Sequence, residues 1–170
     1  MFKIFTELKP FFDDNYRRIS VREYAKIIGS SPATASKVLE NYHDEGILKK
    51  ERDRIYIYYF VQRDSILFRD LSRLYWRFTL EKIGLLEYLK KEFALPVVIL
   101  FGSCAKGEVG PHSDIDIAIF SAAKKELQLD IFEKKLKREI QIFHFASREA
   151  VSNKELLNNI LSGYILLGSW

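Results

Sequence analysis

The stretch LFGSCAKGEVGPHSDIDIAIF, residues 100–120, constrains the chain more than any other. Val97 to Phe101 is a continuous apolar run of strand length, the pattern of a strand covered on both faces. It enters Gly102-Ser103, where glycine permits a sharp turn and close backbone approach. Over Cys104-Ala105-Lys106 the sequence predicts a short helix whose free N–H groups point toward an anion. Pro111-His112-Ser113 turns the chain back. Asp114-Ile115-Asp116-Ile117-Ala118-Ile119 then alternates with period two, which puts both carboxylates on one face and three isoleucines on the other. Two neighbouring carboxylates beside a phosphate-cradling turn suit Mg²⁺ and a nucleoside triphosphate, because this hard cation takes oxygen ligands and keeps positions for phosphate and water. A lone D-x-D would be weak, since exposed strands often carry aspartates. The weight comes from the order: strand, glycine turn, helix, turn, acidic strand.

In that order the string resembles the minimal nucleotidyltransferases of the DNA polymerase β superfamily, whose signature is G-S, a spacer near ten residues, then D-x-D. The resemblance covers about residues 80–168. It implies transfer of a nucleoside monophosphate, AMP from ATP being the expected case, to a protein or nucleic-acid hydroxyl with release of pyrophosphate. It further implies that Gly102 and Ser103 bind the triphosphate and that Lys106 adds a phosphate contact. Asp114 and Asp116 would hold Mg²⁺, with Ser113 at the rim of the site. The family's third carboxylate belongs on a later strand, here Arg138 to Phe145. Ile140 and Ile142 should face helices, so Glu139, Gln141 and Phe143 share the face of Asp114 and Asp116. The best register puts Gln141 where the third carboxylate is expected, and an amide is neither a base nor a good Mg²⁺ ligand. Glu139 lies two residues away, about 6.6 Å along the strand, and is the candidate catalytic substitute. The alternative is a domain that binds nucleotide or a partner without turnover. Minimal nucleotidyltransferases also resemble antitoxins paired with small helical HEPN proteins, which makes such a protein an expected partner.

The first half carries a different pattern. The net charge is +4, and the whole excess lies in residues 1–95, with 18 Lys+Arg against 14 Asp+Glu; residues 96–170 hold 9 of each. Phe2, Phe5, Leu8 and Phe12 have helical spacing, blemished by Pro10. Ser20 to Glu23 is a capping box opening a helix that stops at Gly29. Ser31-Pro32 starts another, with Ala35, Val38, Leu39 and Tyr42 as its inward stripe and Gly46 as its stop. The β-prone runs Ile47–Lys50 and Ile55–Phe60 flank Glu51-Arg52-Asp53 as a basic hairpin. The segment ISVREYAKIIGSSPATASKVLENYHDEGILKKE resembles winged helix-turn-helix regulators. By that resemblance Thr34, Ser36, Lys37 and Asn41, off the buried stripe, approach a DNA major groove. Lys49, Lys50, Arg52 and Arg54 of the hairpin contact phosphates. The bland alternative is a dimerisation or protein-docking element, and a homodimer is among the expected states.

The expected fold class is α+β: a winged helix-turn-helix over residues 1–62, a helical connector over 63–93, and a nucleotidyltransferase α/β domain with a mixed sheet over 94–170. In the connector Ile66, Leu67, Leu71, Leu74, Tyr75 and Phe78 trace one apolar face. Arg69, Arg73 and Arg77 sit four apart, a solvated ridge on spacing alone. A helix is expected over 125–137, with Leu129, Phe132 and Leu136 inward and Ile131 beside them. A short helix and an apolar strand follow in the tail. The single cysteine, Cys104, excludes a disulfide framework. Neither a membrane span nor a signal-peptide core is present, so the expected location is the cytoplasm.

Overall fold

The structure is a computed structural model that describes residues 2–170. Its contacts divide the chain into two units. One reaches to Leu71 and takes in Gly107–Pro111; the other comprises Ser72–Lys106 and His112–Trp170. The division falls inside the segment read as a connector, and a loop from the second half belongs to the first unit.

The first unit opens with α1 (Lys3–Glu7) and α2 (Lys9–Asp13) in place of one continuous helix. Leu8 ends the first and begins the second, and Pro10 sits in the first turn of α2, where its missing N–H costs nothing. β1 (Ile19–Ser20) leads into α3 (Val21–Ile28). The Ser20 side chain accepts the Glu23 N–H, and Gly29 closes the helix at φ 64°. The Glu23 carboxylate takes the Arg17 guanidinium at 2.6 Å. Ser31 caps α4 (Pro32–Asp44), which buries Ala35, Leu39 and Tyr42. β2 (Leu48–Asp53) and β3 (Tyr56–Val61) pair antiparallel down to Asp53 opposite Tyr56, with β1 on the far side of β3. The hairpin turn is therefore Arg54-Ile55, with Arg54 at φ 53°, and Glu51-Arg52-Asp53 lies within β2. That correction follows from the pairing: the ladder runs on until only two residues are left to turn.

α5 (Ile66–Lys82) buries Phe68, Tyr75, Trp76 and Leu80, whereas Ile66, Leu67 and Leu74 stay exposed. Both faces of this helix are apolar, and the one carrying the large aromatics is buried. In the second unit α6 (Leu85–Glu92) buries Leu85, Leu86 and Leu89. β4 (Val97–Phe101) is buried throughout, as its unbroken apolar run requires. Next come α7 (Gly102–Lys106), β5 (Ile115–Phe120), α8 (Asp130–Leu136), β6 (Ile140–Phe145), α9 (Lys154–Leu161) and β7 (Tyr164–Leu167). The sheet order is β6-β5-β4-β7. β5 and β6 are parallel, and β4 is antiparallel to both β5 and β7, so the sheet is mixed.

α8 starts at Asp130, not at 125; Asp130 and Glu133 lie in its first turn, where acidic side chains favour a helix start. None of its residues is fully buried, and Ile131 is exposed. The inner core on the carboxylate face joins Val97, Ile99, Phe101, Ala118, Phe120, Val151 and Ile160, with Phe143 and Phe145 packed against it. That face is thus closed along most of its length. Among the described residues no helix is long and apolar enough to cross a membrane.

Candidate active site

Three strand ends meet at one edge of the second unit's sheet. Phe101, the last residue of β4, pairs with Asp116 of β5, and Asp116 pairs with Gln141 of β6. Gly102 follows Phe101 at φ 64°. A Cβ there would lie 2.0 Å from Asp116 Oδ2, so a substituted residue would have to displace that carboxylate. The glycine is thus doubly required, by its left-handed backbone and by a carboxylate seated in the space of the absent side chain. Asp114 stands just before β5. Its Oδ2 accepts from Gln141 Nε2 at 2.6 Å.

The surrounding hydrogen bonds hold this edge together. The Asp114 carbonyl receives the Cys104 thiol at 3.7 Å, and the Ile115 N–H donates to the Glu139 carbonyl at 2.9 Å. Arg138 donates to the Ser113 carbonyl at 2.6 Å and lies over the Trp76 ring at 5.5 Å. Arg73 Nε donates to the Ala105 carbonyl at 2.7 Å and steadies α7. Arg77 donates to the Ile165 and Leu166 carbonyls of β7, the latter at 3.0 Å. Arg73 and Arg77 are therefore carbonyl clamps, not a solvated ridge. Their regular spacing was the available signal, whereas nothing local in the sequence marks Arg138.

Electrostatics separate the acidic groups from the thiol. Burial, followed by the charge of Asp114, pushes the Asp116 carboxyl above its ordinary range. Cys104 is fully buried, and burial pushes its thiol up to about 12, so it is no nucleophile. Among the described residues no cluster of three or more His, Cys, Asp or Glu side chains could hold a metal ion. The donor set is two carboxylates with an amide as third neighbour. That set fits Mg²⁺, which is bound through one or two carboxylates and completes its shell with phosphate and water oxygens. The crowding that raises Asp116 is what a cation would relieve.

Of the sequence-predicted residues, Gly102, Asp114, Asp116 and Gln141 are brought together. Ser103 and Ser113 lie half-buried beside them, and Lys106 ends α7 with an exposed side chain. Glu139 precedes β6 with its side chain exposed.

In the first unit Thr34, Lys37, Asn41, Lys49, Arg52 and Arg54 are exposed and Ser36 is half-buried. Two expected contacts are already engaged. The Thr34 hydroxyl bonds Ser31 Oγ at 2.9 Å, within the helix cap. Lys50 pairs with Glu40, which also accepts from the Tyr59 hydroxyl at 2.7 Å. Alternation along β2 puts Lys50 and Arg52 on one face and Lys49, Glu51 and Asp53 on the other, so the hairpin cations form no single stripe.

The second unit thus combines a mixed sheet with a glycine turn seated against Asp116, and Asp114 just before the same strand. A family model described as Polymerase beta, Nucleotidyltransferase matches residues 84–168, half of the chain. The chain belongs to that family. Among curated proteins and among solved structures nothing matches it.

Proposed function

We propose that this chain is a Mg²⁺-dependent nucleotidyltransferase that moves a nucleoside monophosphate, AMP from ATP, onto a protein or nucleic-acid hydroxyl. The observation that carries the reading is the interlock of Gly102 and Asp116. It puts a backbone position without a side chain, at the start of α7, against the Asp116 carboxylate, with Asp114 two residues before it. Asp114 and Asp116 would hold the ion, which when bound neutralises charge on the triphosphate. Gly102 and Ser103 cradle the phosphates, Lys106 adds a cation at the mouth, and Ser113 lies at the rim. Glu139, just before β6 and two residues from Gln141, is the candidate to accept the acceptor's proton. Transfer of label from α-labelled ATP with Mg²⁺ and candidate acceptors tests the reading. Transfer that Asp114→Ala or Asp116→Ala leaves undiminished would sink it.

A second reading has its own observation. Gln141 sits opposite Asp116 and ties up Asp114, at the position where a third carboxylate would complete the metal site. On this reading the domain binds nucleotide without turnover and serves a DNA-binding or antitoxin-type regulator, with a HEPN-type protein as its partner. Nucleotide binding without transfer, and transfer gained in Gln141→Asp, would favour it.

For the first unit we propose a winged helix-turn-helix that contacts DNA. What supports this is α3 and α4 joined by a capped turn, followed by a hairpin with Arg52 and Arg54 exposed near its tip. Lys37 and Asn41 offer polar groups on the second helix. Affinity that falls steeply with salt is the expected signature.

A further inference from the structure

We propose that Asn15 is a positioning residue for the nucleotide site, acting through the Gly107–Pro111 loop. The inference rests on the nucleotide reading above. The loop is the chain segment that joins α7, behind the Gly102-Ser103 turn, to Asp114, yet it groups with the first unit. Asn15 follows α2 and is 3% exposed. Its backbone N–H donates to the Val109 carbonyl at 2.7 Å. Its side-chain Oδ1 accepts the Val109 N–H, and its Nδ2 donates to the Phe11 carbonyl. Val109 itself is fully buried. Gly107, at φ 71°, lies against Arg69: a Cβ there would be 3.6 Å from the Arg69 Cα.

The choice of residue is informative. Tying one backbone position in both directions while bonding a helix-end carbonyl takes one acceptor and one donor on a short side chain, which the asparagine amide supplies. Aspartate keeps the acceptor alone, and alanine keeps neither. The loop is therefore fastened at its middle, by Asn15 and Val109. The chain leaving it for Asp114 starts from a fixed point. A loop left loose would have to be ordered whenever nucleotide binds, and ordering it in advance removes that entropy cost from binding. Asn15 and Val109 are 94 residues apart in the chain, so no local motif announces the pairing.

The test uses the full chain with Asn15→Ala and the milder Asn15→Asp. Mg-ATP affinity is read by calorimetry, and deuterium uptake is read peptide by peptide. Asn15→Ala should weaken Mg-ATP about tenfold or more, as small displacements of a binding group do, and Asn15→Asp should weaken it less. Uptake should rise across residues 103–114 and stay unchanged over 97–101 and 140–145. Affinity within twofold of wild type in both variants would overturn the proposal. So would uptake that rises evenly everywhere, the mark of plain destabilisation. Should Asn15→Ala fail to fold, Asn15→Asp decides by the same two measurements. If wild type takes up no Mg-ATP, the nucleotide reading fails by itself, and the uptake pattern alone decides whether Asn15 holds the loop.

Discussion

In the first unit's hairpin, Lys50 meets Glu40 and Arg18 meets Glu51 at 3.2 Å. At the start of β5, Asp114 and Asp116 stand close together, and Asp114 accepts from the neutral amide of Gln141. These two pairs sit on a solvated face, where such contacts contribute little. The acidic pair is left with its repulsion in place, half out of water, with Asp116 pushed up as a result. A chain gains no stability from that arrangement. Retained like charges beside a glycine turn that leaves room for one of them are the feature on which the proposed nucleotide site rests. Counting charges by segment singles out the basic half and passes over the acidic pair.

The largest test of that contrast is at the acidic pair. Asp116→Asn should lower Mg-ATP affinity by about two orders of magnitude, the scale of losing a charge-stabilising group. In chelator at neutral pH the same variant should melt higher than wild type, by about 1–3 °C, because a half-buried, repelled charge is gone. Lower affinity together with a lower melting point would mean that Asp116 is structural and would break the contrast. Gly102→Ala comes next. It forces a side chain into φ 64° and against the Asp116 carboxylate, so it should cost about 1–3 kcal/mol in denaturant unfolding and displace Asp116. Wild-type stability in this variant would show that the turn relaxes freely.

What could be read from the sequence was local. The glycine turn, the two-residue alternation of Asp114 and Asp116, and the caps at Ser20 and Ser31 are decided within a few residues of chain, and the structure carries each of them. Parity alone also put Gln141 opposite the acidic pair, because a one-residue slip would turn Ile140 and Ile142 away from the core. The failures came where two local answers compete. α5 is apolar on both sides, and the choice of Phe68, Tyr75, Trp76 and Leu80 over Ile66, Leu67 and Leu74 is made by partners far along the chain. The break at Leu8 depends on a tertiary setting that gives Pro10 a first-turn position. The duties of Arg73, Arg77 and Arg138 are backbone carbonyls contributed by distant segments, which no spacing encodes.

The hairpin can be tested by asking whether its cations are equivalent. Arg52 and Arg54 have no ion-pair partner among the described residues, whereas Lys50 is paired with Glu40. If the unit binds DNA, Arg52→Ala and Arg54→Ala should each reduce the log-affinity against log-salt slope by about 0.9, one phosphate contact. Lys50→Ala should change it by less. Equal effects at the three positions would mean that Glu40 releases Lys50 on binding, and the Lys50–Glu40 pair would then belong to the free protein only.

The smallest effect belongs to Glu40 itself. Hydrogen bonds from Lys50, then from Tyr59, hold its carboxyl below the ordinary range. A depressed folded-state pKa means stability that is present above the unfolded carboxylate value, about 4.3, and lost as pH falls through the folded one. For so exposed a pair the amount is below about 1 kcal/mol. Urea unfolding of wild type and Glu40→Gln should therefore differ by a constant offset well above about pH 4.3 and converge as pH falls through the lowered folded-state pKa of Glu40. Asp116 works in the opposite sense, because its raised carboxyl makes the ionised form a cost that grows as pH rises. Asp116→Asn should thus gain on wild type as pH rises from the unfolded carboxylate value through the Asp116 folded-state pKa, whereas Glu40→Gln loses ground to wild type as pH rises. Two acidic substitutions with opposite pH signatures would separate a carboxylate held by its neighbours from one held against them, and matching signatures would remove the distinction.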